Sequence, residues 1–219
     1  LTEFAHAVLR RVKPDTAFID KLLAIFEARR KAGETFEVAL RTPLSIILAS
    51  PGFLYLNEPG NEAERRRLND RELAVRLAYF LWSSPPDTEL LDLAKKSALH
   101  QPEILRQQAD RLISDQRSDR FVSGFVHQWL DMERLDFFQF DVTLHRDFDE
   151  NTRAAARQEV YRSFAHLMRD HEAGRLGKLL KSDYVFINGL LATYYGIDGV
   201  TGDEFCKVKL PAESPRGGL

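Results

Sequence analysis

The chain has 219 residues, of which 44 % are hydrophobic and 29 % charged, with 9 Pro, 12 Gly and a formal net charge of -2. A globular chain of this length buries about 70 % of its unfolded surface, so its core needs neither disulfides nor a structural metal. The slightly negative balance offers no long-range attraction for a polyanion, which argues against nucleic acid and anionic membrane surfaces, and no apolar run reaches the roughly 18 residues of a membrane span, so membrane insertion is not expected.

Phe4, Ala5, Val8, Leu9 and Val12 recur at helical spacing, and Pro14 closes this first short helix. Asp15 stands where it can cap a second helix, with Phe18, Ile19, Leu22, Leu23, Ile25 and Phe26 on its apolar face and Arg29-Arg30-Lys31 at its end. Phe36, Ala39 and Leu40 begin a third, but Thr42-Pro43 reads as an interruption. Thr42 would cap a fresh helix and Pro43 would occupy its first position. Ser50-Pro51-Gly52 ends or kinks that helix, and the segment from Asn57 to Arg67, with Pro59, Gly60 and mixed charges, reads as an exposed linker.

Asn69 caps a broad apolar helix carrying Leu73, Ala74, Leu77, Ala78, Phe80 and Leu81, broken by Ser83-Ser84-Pro85-Pro86. Asp87 caps a short helix, Pro102 opens the next, and Asp115 caps the one after. In that last helix Phe121, Val122, Phe125, Val126, Trp129 and Leu130 suggest the centre of the core. Phe137-Phe138-Gln139-Phe140 would pack a connection against it. The longest helix is expected to follow Asp147, at capping-box spacing from Glu150, and to stop near Gly174. Asn188 caps a last short helix that Gly196 ends, and Phe205 to Leu210 alternates like a strand or extended arm with no evident partner strand. The expected fold is therefore all-α, an irregular multi-helix bundle with an extended C-terminal arm. Its expected parts are an N-terminal helical unit at 1–62, a main helical domain at 68–197 and the arm at 198–219.

Several stretches together carry a family resemblance. They are Leu48-Ala49-Ser50-Pro51-Gly52-Phe53-Leu54-Tyr55, the helix Glu72 to Trp82 with its Ser83-Ser84-Pro85-Pro86-Asp87 ending, Gln128-Trp129-Leu130, Phe148-Asp149-Glu150, Asp183-Tyr184-Val185-Phe186-Ile187-Asn188 and Tyr195-Gly196-Ile197. The pattern resembles a planctomycete family catalogued by the regions DUF1595 and DUF1592, and Arg216-Gly217-Gly218-Leu219 looks like the opening of a third, DUF1588. The resemblance implies an exported, extracytoplasmic protein whose longer forms carry cytochrome c-like, haem-binding regions, with the flanking domains of the same chain, and other exported proteins, as partners. It brings no catalytic residues to this sequence. Pro43 departs from the family pattern, where an ordinary helical residue is expected.

Three functional readings stay open. The first is a non-enzymatic helical scaffold or interaction module, with Trp82 and Trp129 anchoring an interface. Arg76, set among apolar residues, would pair with an acid such as Asp115. The second is a metal-dependent or acid/base hydrolase. Glu159, Arg162, His166 and Asp170 fall at helical spacing on one broad face, and His127 with Asp131 one turn on is a weaker pair. The third is glycan or peptide binding through exposed aromatics, with Trp129, Tyr194 and Tyr195 as platforms and Gln128 and Asn188 as hydrogen-bonding groups. Cys206, the only cysteine, excludes an intrachain disulfide, a CxxC pair and a CxxCH haem attachment within these residues, so no cofactor is expected in this segment.

Overall fold

The computed structural model describes residues 1–9, 14–56, 66–138, 140–141, 143–145, 148–170 and 176–218. These residues form an irregular, mostly helical bundle with one small sheet. The chain divides into two compact units: residues 1–79 with 84–105, and residues 80–83 with 106–219.

The first unit holds α1 (Thr2–Val8), α2 (Thr16–Lys31), α3 (Phe36–Leu48), α4 (Pro51–Leu54), most of α5 (Asp70–Trp82), α6 (Thr88–Lys95) and the start of α7 (Pro102–Ser114). Ala5, Ile19, Leu22 and Ile47 are its buried centre, flanked by Phe4, Val8 and Phe18. Burying each of the larger side chains among them, Ile19, Leu22 and Ile47, contributes about 1.5–3 kcal/mol. Asp15 caps α2 as expected, accepting from the Ala17 N–H. Val12 and nearly all of the expected linker, residues 57–65, lie outside the described residues.

The expected break at Thr42-Pro43 does not occur. α3 runs through it from an N-cap at Thr35, whose hydroxyl accepts from the Val38 N–H. Proline inside a helix removes one backbone hydrogen bond. Here Ala39, Pro43 and Ile47, spaced four apart, form one buried line, so the proline ring itself is core packing. α5 opens with a reciprocal box in which Asn69 Oδ1 accepts from the Glu72 N–H and Glu72 Oε2 accepts from the Asn69 N–H.

The second unit is built on α10 (Glu150–Arg169). Before it come a 3-10 turn (Gln116–Ser118), α8 (Asp119–Trp129) and α9 (Arg134–Phe137). After it come α11 (Leu176–Leu180), β1 (Tyr184–Ile187), α12 (Gly189–Tyr195) and β2 (Cys206–Lys209). α10 packs against α8, β1 and α12. One core lies between α8 and α10, at Val122, Val126 and Ala165. Another, at Ala155, Val185, Ile187, Leu191 and Leu210, gathers around the sheet and α12. Asp115 caps the 3-10 turn that leads into α8, and Asn188 and Gly196 bound α12 as expected. The cap of α10 is Asp149, which accepts from the Thr152 N–H at 2.8 Å, whereas the expected cap Asp147 and stop Gly174 lie outside the described residues.

Two further expectations are corrected. The arm does have a partner strand: β2 pairs antiparallel with β1, Tyr184 opposite Lys209 and Ile187 opposite Cys206. The pairing spans α12, so no hairpin signal marks it in the sequence. Phe137 and Phe138 are exposed, Gln139 lies outside the described residues, and only Phe140 packs inward, 4.6 Å from the Phe148 ring. Among the described residues no helix is long and apolar enough to cross a membrane.

Candidate functional site

α10 distributes its polar residues over two faces. Gln158, Tyr161, Arg162, Ala165, His166 and Arg169 fall at offsets of 3, 4, 7, 8 and 11 from the first, so the helical period gathers them on one side. They form a wall of a cleft of about 570 Å³, whose opposite wall comes from the 3-10 turn and the first turns of α8, with Phe186 and Phe205 as apolar floor. Glu159 and Asp170 are not among the residues lining the cleft. Of the group expected on α10, Arg162 and His166 line the cleft and Asp170 stays within 3.7 Å of His166, whereas Glu159 meets different surroundings.

Within the cleft His166 Nε2 lies 2.8 Å from Lys207 Nζ, and Asp170 is 3.7 Å away. An ammonium can only donate, so the imidazole accepts through Nε2 and carries its proton on Nδ1. Burial, aided by the Lys207 charge and opposed by Asp170, holds this histidine below the usual imidazole range. The ring is also wedged edge-on against Tyr184, at 5.1 Å. Tyr161, which burial raises above the ordinary phenol range, is hydrogen-bonded to His127 Nδ1 at 2.9 Å.

Glu159 turns instead to α12. Tyr195 donates to its Oε2 at 2.6 Å, and Arg216 lies 4.0 Å over the Tyr195 ring. Burial raises this carboxyl above its usual range, opposed by the Tyr195 hydrogen bond and by the Arg216 charge, and the tyrosine is pushed up in turn by burial and by its acid neighbour. Asp131 pairs with Arg134 on the surface rather than with His127. Among the described residues no group of three or more His, Cys, Asp or Glu converges to hold a metal.

Trp82 is fully buried. Its indole N–H donates to the Leu112 carbonyl at 2.9 Å, and the Arg117 guanidinium stacks 3.4 Å over its ring. Trp129 is 51 % exposed and closes a row of aromatic rings in which Phe80, Phe121, Phe125 and Trp129 follow one another at 4.9, 5.5 and 5.7 Å, with Phe164 beside the last two. Phe125, 42 % exposed, and Trp129 thus sit on the open side of the helix expected to be wholly core, and Gln128 and Leu130 are exposed with them.

The remaining expected positions have local roles. Arg76 is exposed on α5, where its charge acts on Glu72, and Asp115 is paired with Arg117 at 2.7 Å. The expected Arg76–Asp115 pair is thus replaced by one two residues apart, in which the same carboxylate also caps the 3-10 turn. Hydrogen bonds from Arg117 hold Asp115 down to about 2. Asn188 is a buried cap, accepting from the Leu191 N–H, and Tyr194 packs 5.5 Å from Phe148. Arg120, Tyr161 and Lys207 were not among the expected site residues, and Arg216 only as part of the resemblance to a further region; the four come from separate parts of the fold. Of these only Tyr161 lies on α10 beside the expected Arg162, and Arg169, seven positions after Arg162, shares that residue's helical phase.

Comparison with known proteins yields two family models. Residues 68–197 match PSD4, described as protein of unknown function (DUF1592), and residues 1–58 match PSD5, described as protein of unknown function (DUF1595). No curated protein and no solved structure matches the chain.

Proposed function

The chain belongs to the DUF1592 family of proteins of unknown function, and we propose that it serves there as a helical interaction module rather than an enzyme. The observation that carries this reading is the aromatic row on α8. Aromatic side chains supply most of the binding energy at protein contacts when they become desolvated, and here Phe125 and Trp129 are rigidly stacked yet open to solvent. The occupant we assign to this face is an apolar surface of a flanking domain in the same longer polypeptide. The resemblance of residues 216–219 to the opening of a further region supports that assignment. The tyrosines that would extend a glycan platform are occupied, Tyr195 by Glu159 and Arg216 and Tyr194 by Phe148. The setting proposed with it is the extracytoplasmic, haem-associated one implied by the resemblance, in a planctomycete protein.

The test compares acrylamide quenching of tryptophan in this chain and in the longer polypeptide, with buried Trp82 as the internal reference. Protection of Trp129 in the longer form alone is the expected result. Equal quenching in both forms would overturn the assignment, and so would protection that appears in this chain as its concentration rises, which would make the occupant a second copy.

A further inference from the structure

The cleft between α8 and α10 carries one sign of charge that its own residues do not neutralise. Asp119 is its one acidic lining residue, and Asp119 is paired with Arg169, which also donates to Ser118 Oγ and the Ile113 carbonyl. Arg120 and Arg162 remain. A guanidinium has five N–H donors, and Arg120 uses one on the Trp82 carbonyl at 3.2 Å. Arg162 makes no hydrogen bond or ion pair among the described residues; its guanidinium carbon lies 4.8 Å from the centre of the Phe205 ring, a contact that uses none of its N–H donors. The exposed Lys207 ammonium, bonded to His166 from outside the lining, is offset in part by Asp170 at 3.7 Å from the same imidazole, so the charge of the cleft rests on the two arginines. Two anchored cations converge on a concave space with an apolar floor, in a chain whose net charge is negative.

We infer that this cleft binds a small organic anion, its carboxylate or phosphoryl head held by Arg120 and Arg162 and its apolar body laid against Phe186 and Phe205. Paired oxygens of a carboxylate or a phosphoryl group both match the guanidinium fork, and charge-assisted hydrogen bonds of this kind are about twice as strong as neutral ones.

The experiment titrates the whole chain with phenyl phosphate, benzoate, inorganic phosphate and phenol, following amide chemical shifts. The expected result is saturable binding of phenyl phosphate or benzoate, the better of the two identifying the head group, with inorganic phosphate weaker and phenol inert. Arg120→Gln and Arg162→Gln should each weaken binding about tenfold, the worth of one charge-assisted contact, while Arg162→Lys recovers part of the loss. Lys209→Gln, on the exposed strand outside the cleft, should leave the affinity unchanged. Absence of saturation by both aryl anions would overturn the inference, as would binding that survives loss of both arginines or falls equally in Lys209→Gln.

Discussion

Tyr195 donates its phenolic proton to the Glu159 carboxylate at 2.6 Å, across the contact between α12 and α10. The bond accounts for a carboxylate that sequence spacing placed beside His166 and that the fold turns away from it. It is a structural use of a half-buried charge, with Arg216 supplying a further favourable charge.

Tyr195→Phe is expected to cost about 2 kcal/mol at neutral pH, the range for a lost hydrogen bond to a charged group. The pH dependence has a definite sign. A carboxyl raised in the folded state contributes its stability below about 4.5 and loses it as pH climbs through the folded value. Glu159→Gln removes that loss, so its stability relative to the wild type should improve between pH 4 and pH 8 in urea denaturation. A difference that does not change with pH would contradict the burial of this group.

His166 titrates with the opposite consequence. Its folded value is depressed, so the stability it contributes is present above 6.5 and declines as pH falls through the folded value. Lys207→Gln removes the second cause of that depression, and the imidazole midpoint followed by NMR should rise. A midpoint that stays put would mean that the Lys207 contact does not persist in solution.

The two tryptophans should separate cleanly. Trp82→Ala opens a cavity in a fully buried site and removes a hydrogen bond, at a cost of about 3–5 kcal/mol. Trp129→Ala, on an open surface, should cost under about 1 kcal/mol in the same urea experiment.

Asp149→Ala should destabilise the protein by about 1 kcal/mol through loss of the α10 cap. Asp149→Asn, which keeps the accepting oxygen, should retain most of the stability. Equal losses in the two variants would show that charge near the helix start, rather than capping, is what matters.

Local chemistry was the most legible part of this fold. The caps at Asp15, Asn69, Asp87 and Asn188 and the stop at Gly196 follow from short-range hydrogen bonding, and each stands where its residue type predicts. Pro43 misled because tertiary packing can hold a proline inside a helix when its ring fills the core. The strand pair escaped notice because α12 separates its two members. The cleft residues were legible only along α10, where Arg162 and His166 fall at a four-residue step, whereas Trp129 on α8 was legible as a contact candidate. Arg120, Lys207 and Phe205 come from elsewhere, and no spacing rule links residues 120, 162 and 205. The exposure of Phe125 and Trp129 contradicted the usual inside-out pattern, the kind of departure that marks a contact surface.

α10 carries both the Tyr195 contact, made at Glu159, and a wall of the cleft that includes Arg162 three positions further on. Each residue of an α-helix advances the chain by about 100°. A single residue inserted after Val160 would leave Glu159 where it is and swing Arg162, His166 and Arg169 away from the cleft. What this helix has to preserve through descent is therefore its length between those positions, and relatives should tolerate changes of residue there far more readily than insertions or deletions.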